Sequence, residues 1–537
     1  MPDTPCEQGY IHFYSSVLQA GPGDYRMYYF SKGLLGELSH VAVAMTPRGP
    51  WRKPSLALFN VSGSTDNNVI WEGILVSVFI DKGPNVSANQ RYVVHDTSDY
   101  QIDCYLPLTS NLDRPLPVVS PFHNLMLPLP RSPIRLLLWV VYLCSFKAVI
   151  SNTVLSSHDG FVWKPESTAF HIGWTHFADT QPVVFWDPAT EIYVASGRID
   201  GVSNSSRSCV ARPFATATPG VGAGRYRRVG IAMQTNLVAG AFGDKNVSVA
   251  LGFQPPNRPC EDLYTSQTVR YENLLLMFPS LYSHFRSSDP PTAPNGSSGK
   301  GNDGVLDIRL AAARSGKPFA FVEHGTSSNT TDTSWMPRGQ GTFLPPSWRF
   351  VGDFDAGHVF MTRGLLTGTT SSLPNTAPGD DWDTIIGYHH GSQLTHGGVD
   401  KWFAPGYHND SEHPLLSGIR RWELRRDGFV SMRVNALSAG GIASTAVSLP
   451  SCAAGLSLRM LVNADVSVGA SIHVGIGPDT GAFGLPRADP VTGNGVRLVV
   501  SWSGCVSLSP LQGQRKVPLR IELSSGARLY AYEFSCQ

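Results

Sequence analysis

The sequence is poor in charged residues, and this shortage excludes several classes of protein. Asp, Glu, Lys and Arg make up 15% of the chain, against about 25% in a typical globular protein. Acidic and basic residues nearly balance, because the formal net charge is +1. A chain without a basic surplus has no electrostatic basis for holding nucleic acid or an anionic membrane surface. We therefore expect neither nucleic acid nor a membrane as a partner.

Long hydrophobic runs are also missing. The apolar run LLLWVVYLCSF covers residues 136–146, whereas a membrane-spanning helix needs about 20 residues. We interpret this run as a buried pair of strands within an atypical insertion at about 102–150, which is rich in Pro and Leu. The first fourteen residues have neither a basic nor an apolar segment, so they do not resemble a signal peptide. This predicts a cytosolic protein, or a chain whose true start lies upstream.

The eight cysteines are not spaced as metal ligands, because no Cys-x-x-Cys or Cys/His pattern typical of zinc occurs. Cys452, Cys505 and Cys536 lie near the C-terminus, and we expect one disulfide among them without a preferred pairing. Seven Asn-x-Ser/Thr sequences are compatible with secretion. A chain rich in Ser and Thr also produces such sequences by chance, so the compartment stays open.

What the sequence does contain is turns between short apolar runs. Its 53 Gly and 40 Pro fit many turns and few long helices. The stretch 177–198, FADTQPVVFWDPATEIYVASGR, predicts an antiparallel hairpin in which an Asp-Pro turn joins two apolar strands. A carboxylate, Asp179, stands ahead of the first strand. The stretch 353–366, DFDAGHVFMTRGLL, repeats this plan, and YRMYYF at 25–30 is a weaker copy of the strand alone.

A second repeat is a polar turn followed by an aromatic residue. It occurs as SHDGFVWKP at 157–165, as TPRGPWRKP at 46–54 and, more loosely, as ARSGKPF at 313–319. Asp-Gly and related pairs form tight hairpin turns, against which the aromatic residue packs. We assign Asp159 such a structural role. Repeated strand units with a Gly/aromatic signature are typical of a β-propeller, and the uneven spacing of the copies predicts long loops between strands.

Four longer stretches and these turns together resemble one known group of proteins. The stretches are KPSLALFNVSGSTDNNVIW (53–71), EDLYTSQTVRYENLLLMFPSLY (261–282), NDGVLDIRLAAARSG (302–316) and WELRRDGFVSMRV (422–434). The chain resembles the five-bladed β-propeller glycoside hydrolases of the family 32/43-like superfamily. Within it, the chain is similar to uncharacterised bacterial proteins related to the invertase-like family 32. The insertion at about 102–150 departs from the family pattern.

The resemblance implies an all-β chain with a five-bladed β-propeller at about 1–417 and a C-terminal β-sandwich at about 418–537. The residues point the same way, because short β runs alternate with Gly turns from about 418 onward, a pattern typical of a sandwich. The resemblance further implies hydrolysis of a glycosidic bond. This reaction needs one carboxyl group that protonates the leaving oxygen and a second that attacks the sugar or activates water.

The family pattern also implies roles for particular acids. Asp179 takes the place of the Asp that stabilises the transition state, although Asp-Thr-Gln-Pro replaces the family's Arg-Asp-Pro. Glu261 in PCEDLY resembles the general acid of the family's Glu-Cys-Pro-Asp-Leu-Phe segment, with Cys and Glu in swapped order. The candidates for the nucleophile, expected from the first blade, are Asp3 and Glu7, and Glu7 in PCEQGY is better placed ahead of the first strands. The alternative for Asp179 and Glu261 is an ordinary place in a turn.

Further polar and aromatic residues are candidates for contact with the substrate, either as a pocket rim, as sugar hydrogen-bonding groups or as a stacking ring. They are Asp66, Asn67, Asn68, Asp262, Asp355, His389, His390 and Trp402. For the three residues at 66–68 a turn cap is the alternative, and for Asp355 a turn of the repeat. The five His between 389 and 413 could hold a metal, but none forms a helical HExxH pattern, so we expect no metal and no cofactor.

These patterns predict a glycoside hydrolase acting on a carbohydrate substrate. The altered Arg-Asp-Pro and Glu-Cys motifs favour an alternative, a propeller that binds carbohydrate without cleaving it. A purely structural interaction propeller is a third possibility. The first two differ in whether carboxyl groups from different blades converge in one central pocket. The sequence does not define the sugar, the stereochemical course or the oligomeric state.

Overall fold

The computed structural model describes residues 7, 11–33, 36–83, 92–102, 148–165, 182–203, 224–235, 247–251, 261–284, 304–314, 317–321, 342–344, 355, 357–367, 384–396, 417–434 and 440–537. Within these ranges the chain forms 29 β-strands and two short 3-10 helices, Leu485–Arg487 and Ser509–Leu511. The predicted all-β class is therefore confirmed. Among the described residues, no helix has the length and apolarity required to cross a membrane.

The first three sheets each contain four strands that are successive along the chain and antiparallel to their neighbours. Sheet I contains β1 (Ile11–Gly21), β2 (Asp24–Gly33), β3 (Gly36–Ala44) and β4 (Val69–Glu72). Sheet II contains β5 (Leu75–Ile80), β6 (Tyr92–Ile102), β7 (Ala148–Ser157) and β8 (Lys164–Pro165). Sheet III contains β9 (Val183–Asp187), β10 (Ile192–Ser203), β11 (Gly224–Gln234) and β12 (Ser248–Leu251). Each sheet is thus a β-meander.

The fourth sheet, sheet IV, has ten strands. They are β13 (Glu261–Tyr271), β14 (Leu274–His284), β15 (Gly304–Arg309), β16 (Ala311–Arg314), β17 (Ala320–Phe321), β18 (Thr342–Leu344), β19 (His358–Met361), β20 (Leu366–Thr367), β21 (Thr384–Ser392) and β22 (Ser417–Arg425). A parallel pairing of Leu306 in β15 with His358 in β19 joins two antiparallel groups, β13–β18 and β19–β22. Sheet IV therefore combines two units, each comparable in size with sheets I to III.

The C-terminal part forms two further sheets with one common core. The first contains β23 (Met432–Arg433), β25 (Leu458–Val466), β27 (Gly493–Val499) and β29 (Ala527–Cys536), and the second contains β24 (Gly440–Val447), β26 (Ile472–Ile476) and β28 (Val517–Ser524). Buried residues alternate with more exposed ones along β28, as in a strand with one face in a core. Met460 from the first sheet and Leu519 from the second pack in the same cluster, together with Trp502.

Two of the local patterns read from the sequence lie where they were predicted, whereas the hairpin plan at 353–366 does not recur, because β19 and β20 both pair with β21. β9 and β10 form the predicted hairpin, with Ile192 paired to Asp187. In the turn between β7 and β8, Asp159 Oδ1 accepts hydrogen bonds from the backbone N–H groups of Phe161 at 2.9 Å and Val162 at 3.0 Å. The buried ring of Trp163 packs below this turn. The structural role of Asp159 is confirmed.

The first strands of the successive units contact one another in a cycle. β1 contacts β5, β5 contacts β9, β9 contacts β13, β13 contacts β19, and β19 contacts β1. Backbone hydrogen bonds close the last of these contacts, because Arg363 N–H donates to Ser15 O at 2.9 Å and Val17 N–H donates to Arg363 O at 2.8 Å. We call β1, β5, β9, β13 and β19 the inner strands. Each inner strand of the described residues thus contacts inner strands of two other units.

A disulfide joins Cys452 to Cys536, and Cys505 is an exposed free thiol. The expected disulfide among the three C-terminal cysteines is therefore confirmed, with its pairing now defined. Cys536 ends β29, and 84 positions separate the two cysteines. The bond thus fixes the last strand to the region ahead of β25 and restricts the conformations of the unfolded chain.

Removing this disulfide is expected to destabilise the C-terminal sheets. The Cys452→Ser/Cys536→Ser variant should lose about 2–4 kcal/mol, because the unfolded chain regains the freedom of a long loop. Differential scanning calorimetry on the full chain measures the effect. Cys505→Ser is the matched control and should leave the transition in place. Equal transitions for the double variant and the control would contradict the expected contribution.

The predicted insertion at about 102–150 connects two strands that are direct neighbours. β6 and β7 remain paired up to Ile102 and Ala148. The ends of the connecting segment are therefore adjacent, whatever lies between them. The apolar run at 136–146 falls outside the described residues, and its interpretation as buried strands stays a prediction.

Deleting residues 105–145 should leave a folded protein. The remaining residues, Asp103, Cys104, Phe146 and Lys147, would join β6 to β7 as a four-residue loop, a common length for a β-hairpin. Soluble yield and the thermal unfolding midpoint of the shortened chain, compared with the full chain, provide the measurement. Insoluble expression or loss of the cooperative transition would show that the segment contributes to the core.

Candidate functional site

Carboxylates stand at or ahead of the starts of three inner strands. Glu261 and Asp262 are the first two residues of β13, whereas Asp355 precedes β19 and Glu7 precedes β1. β1 and the chain after β19 run parallel where Ser16 pairs with Arg363. Parallel strands start at the same end, so the starts of β1 and β19 lie together.

A cluster of aromatic rings places the start of β13 at this end as well. The Phe360 ring in β19 lies 6.3 Å from the Tyr14 ring in β1 and 5.8 Å from the Tyr264 ring in β13. Phe30 and Tyr282 complete the buried group, which we call the axial aromatic cluster. Each of the three inner-strand rings follows its strand start by two or three residues. The carboxylates therefore stand just outside this cluster, at one end of the cycle.

Histidines and an arginine surround the axial aromatic cluster. The His396 ring lies 4.7 Å from the Tyr264 ring and the His358 ring 5.2 Å from the Phe360 ring. The Arg227 guanidinium lies 4.8 Å from the centre of the Tyr264 ring, a cation–π arrangement. Burial lowers the pKa of His358 well below its ordinary value. A neutral imidazole, His358, therefore lies against the Phe360 ring of the cluster, and a cation, Arg227, against the Tyr264 ring.

Glu261 and Asp262 point to opposite sides of β13, because successive side chains alternate along a strand. Asp262 is buried, and its Oδ1 accepts the backbone N–H of Arg227 in sheet III at 3.2 Å. Glu261 is only half-buried. Asp262 thus connects sheets III and IV, whereas Glu261 retains access to solvent.

Asp355 is a buried carboxylate with two basic neighbours. Its Oδ2 lies 3.3 Å from His389 Nε2 and 3.4 Å from Arg420 Nη1. The adjacent His390 is also buried, and its Nε2 donates to Ile11 O in β1 at 2.8 Å. Burial lowers the pKa of His390 to about 3, so this imidazole is neutral. Both histidines therefore have defined partners, one electrostatic and one that joins sheet IV to β1.

Glu7 lies in a buried polar network in sheet I. Its side chain is fully buried, accepts a hydrogen bond from Tyr29 Oη at 2.6 Å and lies 2.7 Å from Lys53 Nζ. A buried carboxylate is tolerated when a cation and a hydrogen-bond donor compensate its charge. The ammonium and the phenol supply both.

Asn68 and His40 extend this network. Asn68 Nδ2 donates to Tyr29 Oη at 2.9 Å and to Val41 O at 2.8 Å, which leaves the phenolic proton directed at Glu7. The His40 ring stacks on the Tyr29 ring at 5.2 Å. Its Nε2 accepts the Ser31 hydroxyl at 2.8 Å, and its Nδ1 donates to Asn68 Oδ1 at 3.3 Å. Burial lowers the pKa of His40 to about 4.

The other predicted residues separate into two groups. Asp66 is exposed, and Asn67 organises its own turn by donating to Phe59 O at 2.9 Å and accepting Val69 N–H at 3.1 Å. Asp179 and Trp402 lie outside the described residues. The assignments of Asp179, Glu261 and Glu7 as catalytic residues, and of the eight substrate contacts, stay predictions.

The sequence analysis did not single out Tyr29, His40 or Lys53, although they surround Glu7. A signal was present for His40, because it interrupts the apolar run LSHVAVA at 38–44. A polar residue on a buried strand needs a partner. No group of three His, Cys, Asp or Glu side chains in the described ranges is arranged to hold a metal ion.

Comparisons with known proteins give only distant similarity. No family model matches the chain, and no curated protein matches it. Among solved structures, a family 32 β-fructofuranosidase from Bombyx mori is 10% identical, covers 98% of this chain and 91% of its own, and has a TM-score of 0.35. The catalytic domain of a family 62 α-L-arabinofuranosidase from Coprinopsis cinerea is 12% identical, with coverages of 76% and 89% and a TM-score of 0.34.

A thermostable family 43 glycoside hydrolase is similar to the same degree, with 11% identity, coverages of 76% and 88%, and a TM-score of 0.34. These structural neighbours are glycoside hydrolases, the class that the sequence motifs resemble.

Acidification should destabilise the protein through His40. The pKa of His40 is about 4 in the folded state, against 6.5 for the ordinary group. The unfolded chain therefore binds more protons between these values, and stability falls as pH decreases from 6.5 toward 4. The loss from this group between pH 7 and pH 5 should be about 2 kcal/mol.

Urea unfolding at pH 7 and pH 5 gives the loss of unfolding free energy for the wild-type protein and for His40→Gln, which cannot be protonated. The difference between the two losses is the contribution of His40. His158→Gln, at an exposed position, is the matched control and should retain the wild-type pH dependence. If His40→Gln also retained it, His40 would not be the group responsible.

Proposed function

We propose that the protein is a glycoside hydrolase with its active site at the end of the inner-strand cycle where β1, β13 and β19 start. The scaffold in this proposal is a five-bladed β-propeller followed by a β-sandwich. Sheets I, II and III provide three blades, and the groups β13–β18 and β19–β22 of sheet IV provide two. The propeller ends with β22 and the sandwich begins with β23, close to the boundary predicted at 417/418.

The proposed function rests on one observation, that the starts of β1, β13 and β19 lie at the same end of the inner strands. The ring contacts among Tyr14, Tyr264 and Phe360 hold three inner strands in register at one end. A carboxylate stands at or ahead of each of these starts. Cleavage of a glycosidic bond needs carboxyl groups on two sides of one sugar, and a ring of strand starts supplies such groups from different blades.

Glu261 is the proton donor in this proposal. It begins β13, is half-buried and lies beside the cluster of rings, whereas the neighbouring Asp262 is bound to the Arg227 backbone. Its proton would pass to the glycosidic oxygen as the bond to the sugar breaks. Asp179, ahead of β9, would stabilise the charge that develops on the sugar. Like β13 and β19, β9 is an apolar strand with a carboxylate at or ahead of its start.

Glu7 is the proposed nucleophile, and its surroundings support one part of that role. The contacts with Lys53 and Tyr29 supply a cation and a hydrogen-bond donor to the carboxylate, the group that would attack the sugar. Attack on a sugar also requires access, and the Glu7 side chain is fully buried. Glu7 can act as a nucleophile only if its carboxylate becomes accessible when substrate binds; otherwise it anchors sheet I.

A second function, carbohydrate binding without cleavage, is favoured by the same contacts. Glu7, Asp262 and Asp355 are all buried and engaged with partners. These carboxylates are then structural, and polar groups at the strand starts that reach solvent, such as the half-buried Glu261, would hold a sugar. Hydrolytic turnover of a bound carbohydrate distinguishes the two functions, because only the hydrolase cleaves it.

A panel of oligosaccharides and aryl glycosides identifies a substrate, and Glu261→Gln then tests the proton donor. The variant should lose about 10²–10⁴-fold in rate on substrates with poor leaving groups. It should keep most of its rate on aryl glycosides with activated leaving groups, which depart without a proton. Measured kcat/KM values on both substrate classes give the comparison.

Glu272→Gln is the matched control, because Glu272 is an exposed residue at the opposite end of the same β13–β14 hairpin. It should match the wild-type protein on both classes. Equal loss on both classes would remove Glu261 from the role of proton donor. Sugar binding without any hydrolysis would favour the binding function instead.

A further inference from the structure

Arg363, which follows β19, is a buried cation at the centre of the inner strands. Its backbone pairs with β1, as described above, and the residue is 7% exposed. Its side chain extends away from β1 toward β5 and β9. Nη1 donates to Ser77 O in β5 at 2.5 Å, and Nη2 donates to Val184 O in β9 at 2.6 Å. β5 and β9 are not neighbours of β19 in the cycle, so the side chain crosses its centre.

The positive charge of Arg363 is not compensated by the groups that contact it. In the part of the chain that the structure describes, the guanidinium is bonded to two carbonyl oxygens and lies 4.8 Å from the Phe79 ring centre. No carboxylate there forms an ion pair with it. Burial lowers the pKa of Arg363 to about 9, which still leaves the group charged at neutral pH. A buried charge without a counter-charge is costly.

The two serines that contact Arg363 through their backbones have unsatisfied hydroxyl groups. Ser16 is the bridge partner of Arg363, and Ser77 provides one of its two carbonyls. Both side chains are buried, at 1% and 2% exposure, and within the described residues their hydroxyls have no hydrogen-bond partner. Buried polar atoms without a protein partner are uncommon and indicate a bound water or ion.

The backbone is irregular at both serines. The register of β1 shifts between His12 and Ser16, and that of β5 shifts between Val76 and Phe79. Ser77 has a φ of 60°, a left-handed conformation that is unfavourable for a residue other than Gly. Bulges of this kind re-aim side chains and recur beside binding sites.

We infer that the Arg363 guanidinium and the hydroxyls of Ser16 and Ser77 hold a small monovalent anion, of the class of chloride, at the centre of the inner strands. All three groups donate hydrogen bonds to an anion, and the anion supplies the missing counter-charge. A cation would face the guanidinium, and a water molecule would leave the charge uncompensated. The site is separate from the carboxylates at the strand starts.

Thermal unfolding in sodium chloride and in sodium gluconate at equal ionic strength tests this site. Gluconate is too bulky for a site enclosed by strands, so only chloride should bind and raise the unfolding midpoint. Above its dissociation constant, each tenfold increase in chloride should add a constant increment of stability. Arg363→Met should lose this dependence, and Ser16→Ala/Ser77→Ala should weaken it.

Arg48→Met is the matched control, because Arg48 is a surface cation paired with Glu423. It should retain the chloride dependence of the wild-type protein. Equal midpoints of the wild-type protein in both salts would overturn the inference, as would a chloride dependence that persists in Arg363→Met. If Arg363→Met does not fold, crystals of the wild-type protein grown in bromide decide the question. An anomalous peak beside the guanidinium supports the site, and its absence there overturns it.

Discussion

The structure depends on the closure of β1 against the chain that follows β19. Ser15 Oγ and Thr362 Oγ1 meet at 2.7 Å across 347 positions of sequence, and Ile11 N–H donates to Ser417 Oγ at 3.0 Å across 406. Closing so long a segment costs little more than closing a short one, since the entropy penalty grows only logarithmically with length. In the described part of the chain, the cycle gives every inner strand two neighbours from other units, and sheets I and IV share the axial aromatic cluster.

The polar residues at the centre follow from that closure. Strands that start at one end bring Glu261 and Asp355 to the same side of the axial aromatic cluster. The same closure also buries charged groups such as Arg363, because the cycle encloses them. Each buried charge then needs a partner. Glu7 has Lys53, Asp355 has His389 and Arg420, and for Arg363 we infer an anion.

Features that depend on local sequence were predicted, whereas side-chain contacts between residues distant in sequence were not. The β9–β10 hairpin and the Asp159 turn follow from residues a few positions apart, because turn chemistry and strand alternation act over that range. The grouping of Glu7 with Lys53 and Tyr29 joins segments up to 46 positions apart, and no periodicity encodes it. The disulfide is intermediate: the sequence restricts the pairing to three cysteines, but only the strand arrangement brings Cys452 to Cys536 and leaves Cys505 free.

Hydrogen exchange of the Val17 amide tests the closure most directly. In β1 this N–H points away from β2 and donates to Arg363 O, so its protection depends on the contact between the first and last inner strands. The account predicts that Val17 exchanges as slowly as amides in the interior of β2, which are bonded within sheet I. Exchange of Val17 at the rate of an exposed amide, with β2 still protected, would contradict the closed cycle.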